Sequence, residues 1–425
     1  MPHVRPRLRR GDLADVDRML AGADASLTAR RADPAGRQPV HTVYVPADRV
    51  GANPVRAYGA QALDTLFRHV AAPDGLAEVT GIGRDLVWEV FPRLLRKLRA
   101  DPVEDLRIDL EDGYGSRPDD VEDADAVSAA GRVLASPDEA PLWWGVRVKS
   151  LEPTTRRRAM RSLDLVLGTI LEAGDLPAGF VVTLPKVTSV EQVAAMALVC
   201  ERLEAAYGLP AGRLRFEVQV ETPEAVLGAD GTVTMARAVA AAGGRVSGLH
   251  FGTYDYSAAL GIGAAQQSLD HPVADHAKAV MQVAAAATGV HVCDGSTNVL
   301  PVGGTAAVHA AWRLHAHLVR RSLERGIPQG WDLHPAQLVT RYLATFAFYR
   351  ENLDTAGRRL KAYLTGTSTG VLDEPATVRA LAGPLLRGLH CGAVDEDEVR
   401  RAAGVGTAEL LELAGGGSAS HRGRR

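Results

Sequence analysis

The sequence predicts an α/β fold, a (β/α)8 barrel with an N-terminal extension and a C-terminal helical appendix. Two observations carry this. From about Val40 onward, short apolar runs alternate with longer Ala-, Leu- and Arg-rich stretches of helical pattern, the rhythm of a parallel sheet with helices outside it. The runs also carry their polar residues at their carboxyl ends, which in a barrel converge on one mouth.

The runs, in order, are HTVYVP at 41–46, DLRIDLED at 105–112, LWWGVRVKS at 142–150 and GFVVTLPKV at 179–187. LRFEVQVET at 214–222, VSGLHFGTYDY at 246–256, GVHVCDG at 289–295 and GWDLHP at 330–335 complete the set. An open doubly wound sheet would want a phosphate-binding glycine turn after its first strand, where this chain has PADRVGANP. GIGRDL and GIGAAQ neither follow a strand nor keep the third glycine of such a turn. Residues 1–37 are expected to form the extension, 38–350 the barrel, 351–415 a helical segment and 416–425 a disordered tail. DEDEVRRAAGVGTAELLEL in the helical segment has a helix–turn–helix rhythm. It carries six acids against two arginines, which favours two small packed helices over a nucleic-acid reader.

Composition narrows the classes. In 425 residues, hydrophobic residues make up 46%, enough for a full core, and the formal net charge is −3. That balance gives no basic field for nucleic acid. No apolar run approaches the ~18 residues of a membrane span, and the basic amino terminus lacks the apolar core of a secretory signal. Cys200, Cys293 and Cys391 have no zinc or disulfide spacing. A soluble, cytoplasmic protein is expected.

The polar strand ends carry the candidate chemistry. They are Asp109, Glu111 and Asp112 on the second run, Arg147 and Lys149 on the third and Lys186 on the fourth. Gln219 and Glu221 end the fifth, Asp255 follows the sixth, Asp294 the seventh and His334 the eighth. Asp109 with Glu111, Arg147 with Lys149, and Gln219 with Glu221 are each two apart and so share a face. Glu221 and Asp255 come from consecutive units, about 4.8 Å apart in a parallel sheet. Two carboxylates that close call for a cation between them, and oxygen-only donors suit Mg²⁺ or Mn²⁺. Taken alone, Glu221 could instead favour the dipole of the helix that follows it. His250, His291, Cys293 and His334 read as packing residues.

These motifs resemble a known family. DLEDG at 109–113, RVK at 147–149, LPKV at 184–187, VQVET at 218–222, FGTYDYSAALGI at 251–262, VCDG at 292–295 and LHPAQ at 333–337 stand in the order found in the HpcH/HpaI aldolase and citrate-lyase β-subunit family. The resemblance spans about Val40 to Tyr349. It implies a TIM barrel and a divalent-metal lyase or aldolase that makes or breaks a carbon–carbon bond next to a 2-oxo acid or acyl thioester. It implies Glu221 and Asp255 as metal ligands, Arg147 as the substrate-binding arginine, and Gln219 as an oxo-acid contact. Lys186, Gly252 and Thr253 are expected to face the substrate as well. Asp109, Glu111 and Asp112 are alternatives for the base, with Glu111 and Asp112 also suited to orienting Arg147. The sequence departs from the family at Val40-His41, where many relatives have an Arg-Ser pair, and in the extended turn GYGSRPDDVEDAD. Where the aldolase branch has a base histidine, this chain has Asp109 to Asp112.

Three other readings follow from the same residues. Lys149 or Lys186 could form an imine in a Schiff-base aldolase, since only five of 48 basic residues are lysines. The same metal site could serve a malate-synthase-like condensation with an acyl-CoA as partner. A non-catalytic binding or regulatory barrel is the third. The family resemblance further implies a homo-oligomer, a trimer or hexamer.

Overall fold

The computed structural model describes residues 10–30, 36–136, 140–367 and 375–415. Eight strands form where the apolar runs predict them. They are β1 (His41–Pro46), β2 (Asp105–Asp109), β3 (Trp143–Arg147), β4 (Gly179–Leu184), β5 (Arg215–Val220), β6 (Val246–Phe251), β7 (His291–Cys293) and β8 (Gly330–Asp332). The sheet runs β7-β6-β5-β4-β3-β2-β1-β8, with every pair parallel. A parallel bridge between Cys293 and Gln329 brings its two ends together, supported by Asp294 N–H donating to the Gln329 carbonyl at 2.8 Å. The ring is an α/β barrel of the TIM type.

Strand parity sorts the side chains. Val43, Val45, Leu106, Ile108, Val146, Val182, Val218 and Val220 point outward and are buried under the helices. The helix Arg84–Ala100 answers with Val87, Val90, Leu94 and Leu98, one apolar stripe at helical spacing. The inward positions are largely polar, unlike the branched apolar filling usual in such barrels. Arg107 lies at the centre of this interior. It donates from Nε to Glu217 Oε1 at 3.0 Å, from Nη2 to Glu217 Oε2 at 2.9 Å, and to Thr183 Oγ1 at 3.0 Å, with Asp105 on its other side. His250 Nε2 stands 2.9 Å from Glu217. A buried charge is tolerable only when paired in this way, so the layer forms a fixed floor beneath the carboxyl-end mouth. His250 and Cys293 belong to this packed interior.

A 29-residue helix, Gln337–Thr365, runs on from the barrel without a break at residue 350. Its first half packs Leu338, Tyr342 and Phe346 into the barrel core. Its second half joins Leu353 and Leu360 to a second cluster with Leu381, Leu385, Val399 and Leu410. Glu396–Ala403 and Thr407–Gly415 are two short helices of that cluster. Within the expected N-terminal extension lies a helix, Arg10–Arg30, which the sequence pattern did not single out. The expected tail at 416–425 falls outside the described residues. No helix among the described residues is long and apolar enough to cross a membrane.

Candidate metal centre at the carboxyl end of the barrel

The register places Asp109 directly beside Arg147 on neighbouring strands. The guanidinium meets that carboxylate through two parallel bonds, Nε to Oδ1 and Nη2 to Oδ2, both 2.7 Å. Its remaining end turns to the mouth, with Nη1 3.3 Å from Gln219 Oε1 and 3.3 Å from Glu111 Oε2. The Tyr44 ring covers the guanidinium at 4.8 Å, a cation–π contact in a desolvated place. Sequence reasoning passed over Tyr44, although it opens the YVPADR stretch and shares the inward parity of β1.

Asp109 is fully engaged. Besides Arg147, Oδ1 accepts from the Glu111 N–H at 2.9 Å and Oδ2 from the Gly113 N–H at 2.9 Å. A carboxylate offers about four lone-pair sites, and all four are used. It fixes Arg147 and ties down the DLEDG turn. The turn needs Gly113, because a Cβ there would come within 2.5 Å of Asp109 Oδ2. Lys149 braces the same loop from below, donating to the Leu110 and Gly115 carbonyls at 2.7 and 3.0 Å and pairing with Glu122 at 3.1 Å. It has no part at the mouth.

Glu221 enters the mouth just past β5 and is buried. Its Oε1 accepts from the Lys186 backbone N–H at 2.7 Å, and its Oε2 accepts a short bond from Gln219 Nε2. Gly252 makes room for it, since a Cβ at 252 would sit 2.4 Å from Glu221 Cβ. Thr253, expected to face the substrate, turns its hydroxyl to the Ser296 carbonyl at 3.2 Å and is buried there. Asp255, in the first turn of the helix Thr253–Ala259, reaches back over Glu221. Asp112 comes in from the β2 loop, and one oxygen each of Asp112, Glu221 and Asp255 lie within 4.8 Å of one another. The sequence placed Glu221 with Asp255; the structure adds Asp112.

Lys186 already stands among these acids. It is one of three non-glycine residues with positive φ among the described residues, at φ 52°, a conformation that turns its side chain into the mouth. Its Nζ lies 2.9 Å from Asp112, 3.6 Å from Glu221 and 3.8 Å from Glu111, and makes a short bond to Asp255. Burial opposes its charge, yet Glu221, Glu111, Asp255 and Asp112 together raise its pKa above the ordinary lysine range. An imine-forming lysine is favoured by the opposite shift, and the Lys149 ammonium is engaged by the Leu110 and Gly115 carbonyls and by Glu122.

Among the described residues, Asp109, Glu111, Asp112, Glu221 and Asp255 thus face two cations, Arg147 and Lys186. Burial sets the protonation of the two inner acids. Burial pushes Glu221 up to about 7, against the pull of Lys186 and Arg147. Burial likewise pushes Glu111 up to about 8, with Asp112 and Glu221 adding to it. A hard divalent cation fits this donor set. It is all oxygen, it is short of positive charge, and one oxygen from each of three acids lies within 4.8 Å of the others.

Fold and site together define an α/β barrel whose carboxyl-end mouth gathers acids around an arginine. Residues 20–415 match the model of DUF6986, a domain of unknown function, and the chain belongs to that family. No curated protein matches the sequence. Among solved structures it is similar to the Haloferax volcanii malate synthase magnesium/glyoxylate complex, at 16% identity over 88% of this chain and 97% of that one, with a TM-score of 0.49. It is also similar to an HpcH/HpaI aldolase/citrate lyase family protein from Burkholderia cenocepacia J2315, at 18% identity over 75% of this chain and 95% of that one, TM-score 0.40. An HpcH/HpaI aldolase from Desulfitobacterium hafniense DCB-2 matches at 14% identity over 75% of this chain and 92% of that one, TM-score 0.40. The motif resemblance to HpcH/HpaI aldolases stands beside membership of DUF6986, not in place of it.

Proposed function

We propose that this chain is an enzyme, a divalent-metal-dependent carbon–carbon lyase or aldolase acting on a small 2-oxo acid. Glu221 and Asp255 would hold Mg²⁺ or Mn²⁺, with Asp112 completing the protein donors. The observation that supports this best is the cluster itself: three acids from three separate loops that share a single lysine, beside an arginine locked in place by Asp109. A divalent ion there would supply Lewis acidity to a carbonyl or carboxylate oxygen.

The chain's own groups then have distinct work. Arg147 is held rigid on one edge and presents Nη1 to the mouth, a preorganised charge for negative charge developing on the substrate. Glu111 is the group left to move a proton, since Asp109 is saturated and Asp112 lies in the donor set. Its Oε2 faces Arg147, and its Oε1 is the atom that takes or returns the proton. The buried floor of Arg147, Gln219 and Glu221 under a rim of exposed Asp112 and Asp255 suits a small anionic substrate that enters from the rim. An activity screen of 2-oxo acids with aldehydes and with acyl thioesters tests the reading. Turnover that a chelator abolishes and Mg²⁺ or Mn²⁺ restores is expected; turnover indifferent to chelator would overturn it.

A further inference from the structure

Among the described residues, two apolar surfaces are uncovered. The first lies on the helix Arg10–Arg30. Leu13, Val16 and Leu20 fall at i, i+3 and i+7, one face of a helix, and Val16 is 53% exposed. Every residue from 11 to 24 is exposed, so among the described residues nothing covers that stripe. The second is a groove of about 730 Å³ on the outside of the barrel, between the helices Thr234–Ala241 and Pro272–Ala285. Val233, Val239, Val280, Val283 and Val290 line it, and Val283 is 77% exposed. Apolar surface of this extent marks an interaction site more often than free solvent-facing protein.

We propose that the groove receives the helix Arg10–Arg30 of a second copy of this chain, and that the exchange is reciprocal. This goes beyond the proposed chemistry and does not depend on it. The alanines on the groove's two helices, Ala236, Ala240 and Ala279 among its lining, leave space for branched side chains such as Leu13, Val16 and Leu20. Charge matches as well. Asp17 and Asp24 lie along one flank of the stripe, one position beyond Val16 and four beyond Leu20, and the groove carries Arg215 at its edge. Topology delivers the helix to the correct end of the barrel. Arg215 and Val246 open β5 and β6 and Val290 precedes β7, so the groove lies toward the amino-terminal end. The residues before β1 cross that same end, where Gln38 Nε2 donates to the Val292 carbonyl at 3.1 Å. A helix exposed over residues 11–24 reaches a neighbour, and a two-fold exchange covers both helices and both grooves in a closed assembly.

The test uses the full chain. Light scattering over a range of concentrations should show a self-associating protein. Val283→Asp and Leu20→Asp, both at exposed positions, should each raise the dissociation constant more than about tenfold without lowering the melting temperature. A crosslink then decides how the helix docks. Chains carrying only Leu20→Cys are mixed with chains carrying only Val283→Cys and oxidised, and the native Cys200, Cys293 and Cys391 are buried and do not compete. A disulfide-linked pair in the mixture is the expected result. A monomer at all concentrations, association unchanged by Val283→Asp, or a crosslink formed only within a chain carrying both cysteines would each overturn the proposal.

Discussion

The ammonium of Lys186 and the carboxylate of Asp112 meet at 2.9 Å, inside the group of acids best suited to a divalent ion. An internal cation therefore occupies ground that an external one would share. Lys186→Met keeps much of the side chain's bulk and removes its charge. Without metal, Glu111, Asp112, Glu221 and Asp255 would then face one another uncompensated, and the melting temperature should fall. Added Mn²⁺ should raise it by more in the variant than in the parent chain, since ligand binding stabilises the folded state by mass action. Equal melting temperatures and equal metal responses in both proteins would show that the Lys186 charge is irrelevant to the cluster.

Glu221→Gln, Asp255→Asn and Asp112→Asn test the donor set one acid at a time. Each keeps its shape and removes a charge, and Asp112 and Asp255 are exposed, so the fold should hold. Calorimetric titration with Mg²⁺ or Mn²⁺ should show at least a tenfold loss of affinity for Glu221→Gln and Asp255→Asn, about 1.4 kcal/mol. A similar loss in Asp112→Asn would make it the third ligand. Undiminished affinity in all three would move the metal site elsewhere.

How much of this was legible in the sequence follows from what parity can and cannot say. Alternation along a strand fixes which side a residue faces, so Gln219 with Glu221 was readable, and all eight strands fell on their apolar runs. Parity ends where the strand ends. Nothing local announces that Lys186 takes a positive φ, that Asp112 swings in to meet Glu221, or that the amides of Glu111 and Gly113 complete Asp109. Those are tertiary facts of loops. The helix Arg10–Arg30 was missed for a different reason. Its apolar positions are few and its composition mixed, so its stripe is visible only once the fold leaves it uncovered.

Arg147 and Asp109 should behave as one unit. Asp109→Asn leaves a buried guanidinium without its counter-charge, and removing one member of such a pair costs about 3–5 kcal/mol. Replacing both, Asp109→Leu with Arg147→Met, should cost less than the sum of the singles. Arg147→Lys should also fail to restore turnover, because an ammonium cannot make the two parallel bonds. Urea melts of the parent chain, Asp109→Leu, Arg147→Met and the double variant measure the coupling. Strict additivity would mean that the clamp seen between these residues carries no energy of its own.

Glu204 offers a pH test away from the mouth. It is buried and accepts from Arg245 at 2.6 and 2.7 Å, from the Leu214 N–H at 2.7 Å and from the Gly212 N–H at 3.1 Å. Burial raises its pKa, but Arg245 and the two amides outweigh that and hold it at about 2. An acid whose folded pKa lies below its unfolded value, ~4.3, stabilises fully above the unfolded value. That stability is lost as pH falls through about 4 toward 2. At ~1.4 kcal/mol per unit it amounts to about 3 kcal/mol at most. Glu204→Gln should lose this at pH 7 and converge on the parent chain near pH 2. A constant gap between the two proteins across that range would refute the assignment.

Gln219 decides between two readings of the Gln-x-Glu pair. The sequence made it a contact of the oxo acid. In the structure both ends of its amide are taken, Oε1 by Arg147 at 3.3 Å and Nε2 by a short bond to Glu221, and the residue is buried. A neutral amide suits that place because it accepts from the cation and donates to the carboxylate without adding charge to either. It thereby fixes the Glu221 carboxylate in place. Gln219→Met keeps the volume and removes both polar atoms. As a bridge, its loss should cost about 1–3 kcal/mol of stability, because Glu221 and Arg147 each lose a buried partner. It should also weaken Mn²⁺ binding by about 10- to 100-fold, the usual effect of removing a group that orients a ligand. As a substrate contact, its loss should leave stability and metal affinity alone and raise KM for the 2-oxo acid. A urea melt and a metal titration on this one variant separate the two, before any substrate is known.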